Sequence, residues 1–185
     1  MARAFGVDIQ TSDTGYWKLE DAELRAKNYA SADPSNRFLL PFGLSSERGG
    51  MMFNCFRKAL MGGLADIQVQ PDRLWLVCGS GFILDVLHSI WPTTKYLIVQ
   101  VGRKIWKEVL EGKNFELFVA PERFGDTAQE QPPYQTVPWY DAKLWQFVLR
   151  HGMDGDFIWN VAGVPQGPEA AVGAVLHRIE LTRPR

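Results

Sequence analysis

Cysteine is scarce in this chain, with only Cys55 and Cys78 among 185 residues. Two thiols cannot build a secreted disulfide scaffold, so both are expected to be reduced and buried, as in a cytoplasmic protein. Zinc-type spacing is missing as well. No Cys-x-x-Cys or His-x-x-x-His occurs, and the three histidines, His88, His151 and His177, stand far apart, so no metal site is expected. An excess of one charge is also lacking: 20 Lys and Arg face 21 Asp and Glu. That balance gives no basic field for nucleic acid or an anionic membrane surface. No apolar run reaches membrane-spanning length, and the start, Met1-Ala2-Arg3-Ala4-Phe5-Gly6, has no apolar core of the signal-peptide kind. The sequence therefore points away from a membrane partner and toward the cytoplasm. It contains no repeat and no low-complexity block.

What is present is apolar sequence in short, regular portions: 46% of the residues are hydrophobic and 22% charged, enough to bury one substantial core. The most informative portion is Leu74-Trp75-Leu76-Val77-Cys78-Gly79-Ser80-Gly81, followed by Phe82-Ile83-Leu84-Asp85-Val86-Leu87. It reads as a buried strand that turns through glycines into an amphipathic helix. Small residues let a ligand approach the backbone, and the unpaired N–H groups and positive dipole end of the helix favour an anion. The same Gly-Ser-Gly is also ordinary turn geometry after a parallel strand.

Along the chain, Phe5, Val7 and Ile9 alternate as in a short strand, and Leu19 to Ala30 carries helix formers with Asp33-Pro34-Ser35-Asn36 as the stop. Phe38 to Pro41 reads as a brief strand. Met51 to Leu64 reads as a helix with Met52, Cys55, Phe56, Ala59 and Leu60 inward, ended by Gly62-Gly63. After the central turn, Phe82 to Trp91 is helical until Pro92, and Tyr96 to Val101 is a second apolar strand closed by Gly102. A helix over 104–111 and a strand over 115–119 follow. Pro121 to Pro138, with four prolines, is the longest irregular stretch and the candidate site-lining loop. Tyr140 to His151 is helical, Phe157 to Val161 is a strand ending in Ala162-Gly163, and Pro168 to His177 is a final helix. Unbroken apolar strands separated by helices give an α/β class: a single three-layer domain with a mainly parallel sheet and helices on both faces. Residues 1–36 would be an extension, 37–165 the core sheet and 166–185 a tail. Gly43, Gly79-Ser80-Gly81, Gly102 and Ala162-Gly163 would then share the carboxyl edge of the sheet, where such folds bind ligands.

Four motifs in order resemble the later half of the fold-type-II, tryptophan-synthase-β-like pyridoxal-phosphate enzymes, in the D-cysteine desulfhydrase and aminocyclopropane-carboxylate deaminase branch. They are Leu40-Pro41-Phe42-Gly43-Leu44-Ser45, Val77-Cys78-Gly79-Ser80-Gly81, Tyr140-Asp141-Ala142-Lys143 and Phe157-Ile158-Trp159-Asn160-Val161-Ala162-Gly163. Together they span roughly residues 37 to 165. The resemblance implies a Rossmann-like α/β fold, a phosphate cradle at Gly79, Ser80 and Gly81 with Gly43 and Asn160 beside it, and pyridoxal phosphate as cofactor. Three features depart from that pattern. Phe82 and Ile83 replace the Gly-Thr that would continue the cradle, Val161 replaces the threonine that would meet the pyridine nitrogen, and the half of the family that carries the Schiff-base lysine has no counterpart.

Each candidate residue has two readings. Ser80 either donates to a phosphate or caps the helix. Tyr140 is a candidate catalytic or ligand-stacking phenol, or a buried structural tyrosine. Lys143, the other catalytic candidate, pairs with a phosphate or an acidic substrate group or is a solvated side chain, the commoner fate of a lysine in a first helical turn. Cys78 is an activated thiol at a helix start or a buried, inert one. Asp154 and Asp156 flank Gly155 and hold a cation or shape a turn. Arg103, Lys104 and Lys107 meet an anion or form a solvated face. Among seven tryptophans, Trp17 and Trp139 lie in irregular segments and are the candidate stacking platforms. The leading expectation is a phosphate-ligand-binding protein, a shortened or split lyase or deaminase. Its missing lysine would be lost or supplied by a complementary chain or homo-oligomer. The alternatives are a non-catalytic interaction or nucleotide-binding protein, and a transferase using a nucleotide or sugar phosphate.

Overall fold

The computed structural model describes residues 19–40, 50–64, 69–102, 104–160 and 175–179. The chain packs as two units, Met1–Leu44 and Ser45–Arg185, so the division falls later than the break the sequence suggested at residue 36. In the first unit, helix α1 (Leu19–Ser31) is held by the Glu23–Lys27 ion pair at 2.7 Å, and Arg37 lies over the Tyr29 ring at 4.1 Å. Phe38 to Leu40 pairs with no strand among the described residues and is not a strand, since an extended run forms one only where a neighbour takes its hydrogen bonds. The strand read around Phe5 to Ile9 lies outside the described residues, as do Trp17 and Gly43.

The second unit is built on a five-stranded sheet. After helix α2 (Met51–Leu64) come β1 (Arg73–Cys78), α3 (Phe82–Ile90), β2 (Lys95–Gln100), α4 (Lys107–Leu110) and β3 (Phe115–Val119). A 3-10 turn (Asp141–Leu144) leads directly into α5 (Trp145–His151), followed by β4 (Phe157–Asn160) and β5 (Val175–Arg178). The order across the sheet is β3-β2-β1-β4-β5. Strands β1 to β4 are parallel, and β5 runs antiparallel to β4. Both faces are covered, which is why β1 and β2 read as continuous apolar runs. On one face Leu74, Leu76, Tyr96, Ile98 and Trp159 meet Leu84, Leu87 and Val109. On the other, Trp75, Val77, Leu97, Val99 and Ile158 meet Leu144 and Val148. The α/β three-layer class expected from the sequence is the one observed.

Three elements depart from the sequence reading. The last strand, β5, lies where the end of a helix over 168–177 was expected, because Val175–Arg178 takes up the free edge of β4. Helix α4 is one turn rather than eight residues, since the Gln100 side chain captures the Ile105 N–H at 3.0 Å and holds the chain extended before it. No residue of α2 is fully buried; Cys55 and Ala59 are exposed, while Phe53 and Phe56 pack edge-to-face on Phe82, at 6.4 and 5.3 Å. Gly62 and Gly63 sit inside that helix rather than ending it. Finally, the short α4 leaves Phe115, Leu117 and Val119 of β3 exposed.

At the amino end of the strands, Asp156 ties three segments together. Its carboxylate accepts hydrogen bonds from Arg73 Nε at 2.7 Å, Trp75 Nε1 at 2.8 Å and the Met153 N–H at 3.1 Å, and only 2% of the residue is exposed. The sequence read Asp154 and Asp156 as a turn or a cation site; the turn is there, closed by Asp156 against Met153 just before β4, and Asp156 is also the acceptor that fixes β4 beside β1. Removing one partner of a buried ion pair strands the other charge. Asp156→Ala is therefore expected to destabilise the protein by about 3–5 kcal/mol in urea denaturation, with Asp156→Asn milder because it keeps an acceptor for Trp75.

Candidate functional site

The direction of chain travel changes at β1. From β1 the chain moves outward to β2 and β3, with α3 and α4 on one face, then returns across the sheet to β4 on the other side of β1, with α5 on the opposite face. Constant crossover handedness requires that change of face. The loops leaving β1 and β4 consequently diverge, and the crevice beyond their carboxyl ends is where open α/β sheets bind ligands. Gly79, Ser80 and Gly81 follow β1, and Asn160 is the last residue of β4. The 121–140 segment reaches the same edge, because the Tyr140 hydroxyl lies 3.2 Å from where a Cβ on Gly79 would stand.

The Gly-Ser-Gly turn has a packing explanation as well as a ligand one. Gly81 is the N-cap of α3, in the left-handed region at φ 90°, and a Cβ there would overlap the Val109 side chain. Ser80 is not the cap; its Oγ accepts a 3.4 Å hydrogen bond from Phe82 N–H, and the residue is exposed. Phe82, which stands where a cradle would continue, is the anchor for Phe53 and Phe56 of α2. Asp85 lies in the first turn of α3, where its charge opposes an anion, but Lys113 pairs with it at 2.8 Å and also donates to the Val109 carbonyl. Both members of this pair are largely buried, so the pair is screened little by water.

Cys78 lies under this turn. Burial pushes its thiol from 9.0 up to about 12, the Asp85 charge adding to the effect and the Gly81 backbone and Lys113 opposing it. Burial likewise raises the Tyr140 phenol, helped by Cys78 and Asp141 and opposed by a hydrogen bond from the Gly79 backbone. Both groups are neutral near pH 7, so Tyr140 offers a hydroxyl rather than a phenolate.

Lys143 is not a solvated side chain. It is fully buried, and its ammonium donates to the Arg123 carbonyl at 2.7 Å, pinning the start of the long loop from beneath. Gln146, one turn further on, donates to both Glu122 oxygens at 2.9 and 3.2 Å. Asn160 is engaged too: its Oδ1 accepts from Thr136 at 2.8 Å and its Nδ2 donates to the Gln135 carbonyl at 3.0 Å. The two residues fasten opposite ends of the loop rather than project into the crevice. Nothing in the sequence separates such a pin from a surface lysine, because its partner is a backbone carbonyl 20 residues away.

Pyridoxal phosphate needs a lysine to carry it and donors around its phosphate. Among the described residues, Lys143 and Lys113 are both buried and engaged elsewhere, Val109 fills the space beside Gly81, and Phe82 is packed against α2. These residues do not fit that cofactor. The described residues contain no group of three or more His, Cys, Asp or Glu placed to hold a metal ion, and no helix long and apolar enough to cross a membrane. Lys104 and Lys107 are exposed, whereas Arg103 and Val161 to Gly163 lie outside the described residues. No family model matches the chain, and no curated protein matches it in sequence.

Gly81→Ala is expected to destabilise the fold by roughly 2–4 kcal/mol, from left-handed strain plus overpacking. Gly81→Ala with Val109→Ala should recover the overpacking part, as a double-mutant cycle in urea will show. The thiols give a second expectation. Exposed Cys55 should alkylate quickly at pH 8 in the native protein, while Cys78, with roughly one thiolate in 10,000, should react only after unfolding, by mass spectrometry. Because the unfolded thiol ionises near 9.0 and the folded one near 12, unfolding releases a proton in that window. Stability should fall as pH rises through it, and Tyr96, Tyr134 and Tyr140, all raised by burial, act in the same direction.

Proposed function

We propose that the chain binds a small phosphate- or carboxylate-bearing ligand at the carboxyl edge of β1 and β4, as a binding protein rather than a Schiff-base enzyme. The observation that carries this reading is the placement of the Gly79-Ser80-Gly81 turn, the first turn of α3 and the Tyr140 hydroxyl together at the reversal of strand order. Two sources of attraction combine there, and one repulsion is cancelled. The amide N–H groups that open a helix lack intrahelical partners, the helix dipole is positive at that end, and Lys113 offsets the one carboxylate in the turn. Neutral Tyr140 adds a hydroxyl that can donate without repelling an anion. A Schiff-base reaction is left out of this reading because the buried lysines nearby are already engaged.

Amide NMR of the full chain, titrated with inorganic phosphate and separately with acetate, tests the proposal. Saturable shifts should concentrate on Gly79 to Leu84. Ser80→Asp, a change at an exposed position, should abolish them by placing a carboxylate in the turn while leaving the melting temperature nearly unchanged. Shifts that scatter over the surface without saturating, or that survive Ser80→Asp, would overturn it.

A further inference from the structure

Phe124 is 69% exposed, yet the chain on either side of it is firmly tied. The Arg123 carbonyl accepts from buried Lys143 at 2.7 Å, the Arg123 N–H donates to Asp126 at 3.3 Å, and Glu122 accepts from Gln146 at 2.9 Å. The ring rests on Gly102, where a Cβ would stand 2.9 Å from its Cδ2, and φ there is 74°. Phe124 also meets Tyr140 edge-to-face, with ring centroids 6.4 Å apart at 74°. Tyr140 in turn places its hydroxyl over Gly79. The large part of the ring left in water gains nothing from burial, and fixing it there consumes a buried ammonium and a left-handed glycine. Ordering a ring in advance does favour a partner that stacks on it, because the entropy of ordering is already lost before binding.

We infer that Phe124, beside Tyr140, is the stacking platform for a planar aromatic group on the ligand, so that the site selects aryl-bearing anions over simple ones. This rests on the anion reading above, since Tyr140 joins the platform to the Gly79 turn. The ligand class is an aromatic ring joined to a phosphate or a carboxylate, a description that covers nucleotides and aryl acids alike. Selectivity then comes from Phe124, and the anionic group is held independently by the turn.

The test compares pairs of probes that differ only by the ring: phenyl phosphate against methyl phosphate, and benzoate against acetate. Each is titrated into the full chain by calorimetry and proton NMR. In the native protein the aryl member of at least one pair should bind about tenfold tighter, in line with the stacking energies of exposed aromatic platforms, and its ring protons should shift upfield with contacts to Phe124. Which pair shows the preference distinguishes a phosphate from a carboxylate source. Phe124→Ala should erase the preference while leaving methyl phosphate or acetate affinity unchanged, and Phe124→Tyr should keep it. The upfield shifts and contacts need no variant, so a poorly folding Phe124→Ala would not blunt the test. Equal binding of both members of each pair would overturn the stacking inference and leave the anion reading standing. Binding of none of the four would overturn both.

Discussion

The middle strand of a parallel sheet covered by helices on both faces has no side left for water, and β1 is the middle strand here. Leu74 and Leu76 point into one layer of helices, Trp75 and Val77 into the other, and everything else in the second unit is arranged to keep both sets covered. At about 1.5–3 kcal/mol for each large side chain moved out of water, these residues dominate the stabilising terms. The two ends of the same strand carry the polar features. Asp156 clamps its amino end through Arg73 and Trp75, and the glycine turn at its carboxyl end admits Val109 from the neighbouring layer. The glycine turn thus answers a packing requirement, and the anion site we propose there would be a by-product of it.

The parts of the fold legible in the sequence are those whose hydrophobic pattern is local. Strands β1, β2 and β3 and helices α1 and α3 could be read from runs and periodicity, because the signal for each lies within its own segment. The parts that were not legible depend on partners distant in sequence. Val175–Arg178 becomes a strand only because β4 has a free edge. Ile105 stays out of α4 because a glutamine five residues earlier takes its N–H. Helix α2 was visible, but its inward face was misassigned, since Phe53 is recruited by Phe82 on another helix.

The candidate site shows the same division. Gly79, Ser80 and Tyr140 could be brought to one sheet edge from the strand-turn-helix pattern and the length of the proline-rich loop. Lys143 and Asn160 also reach the neighbourhood, but as fasteners of the loop. A lysine buried on a carbonyl and a lysine in solvent look alike in sequence, because the carbonyl belongs to every residue type. Phe124 could not be singled out at all: its significance lies in being exposed and fixed together, and each property comes from a different distant partner.

The return of the chain to β4 also bears on how the fold is reached. Strands β1 and β2 pair with their immediate successors, whereas the Arg73–Asp156 contact joins residues 83 apart. Closing so long a loop costs chain entropy before its contacts repay it, and long-range parallel pairing is the slow class of step in small domains. The half of the sheet holding β1 to β3 therefore has a kinetic head start, and the crevice beyond β1 comes into being only when β4 docks. Affinity for the ligand we propose would, in a chain built this way, report on the completion of folding as much as on the chemistry of the turn.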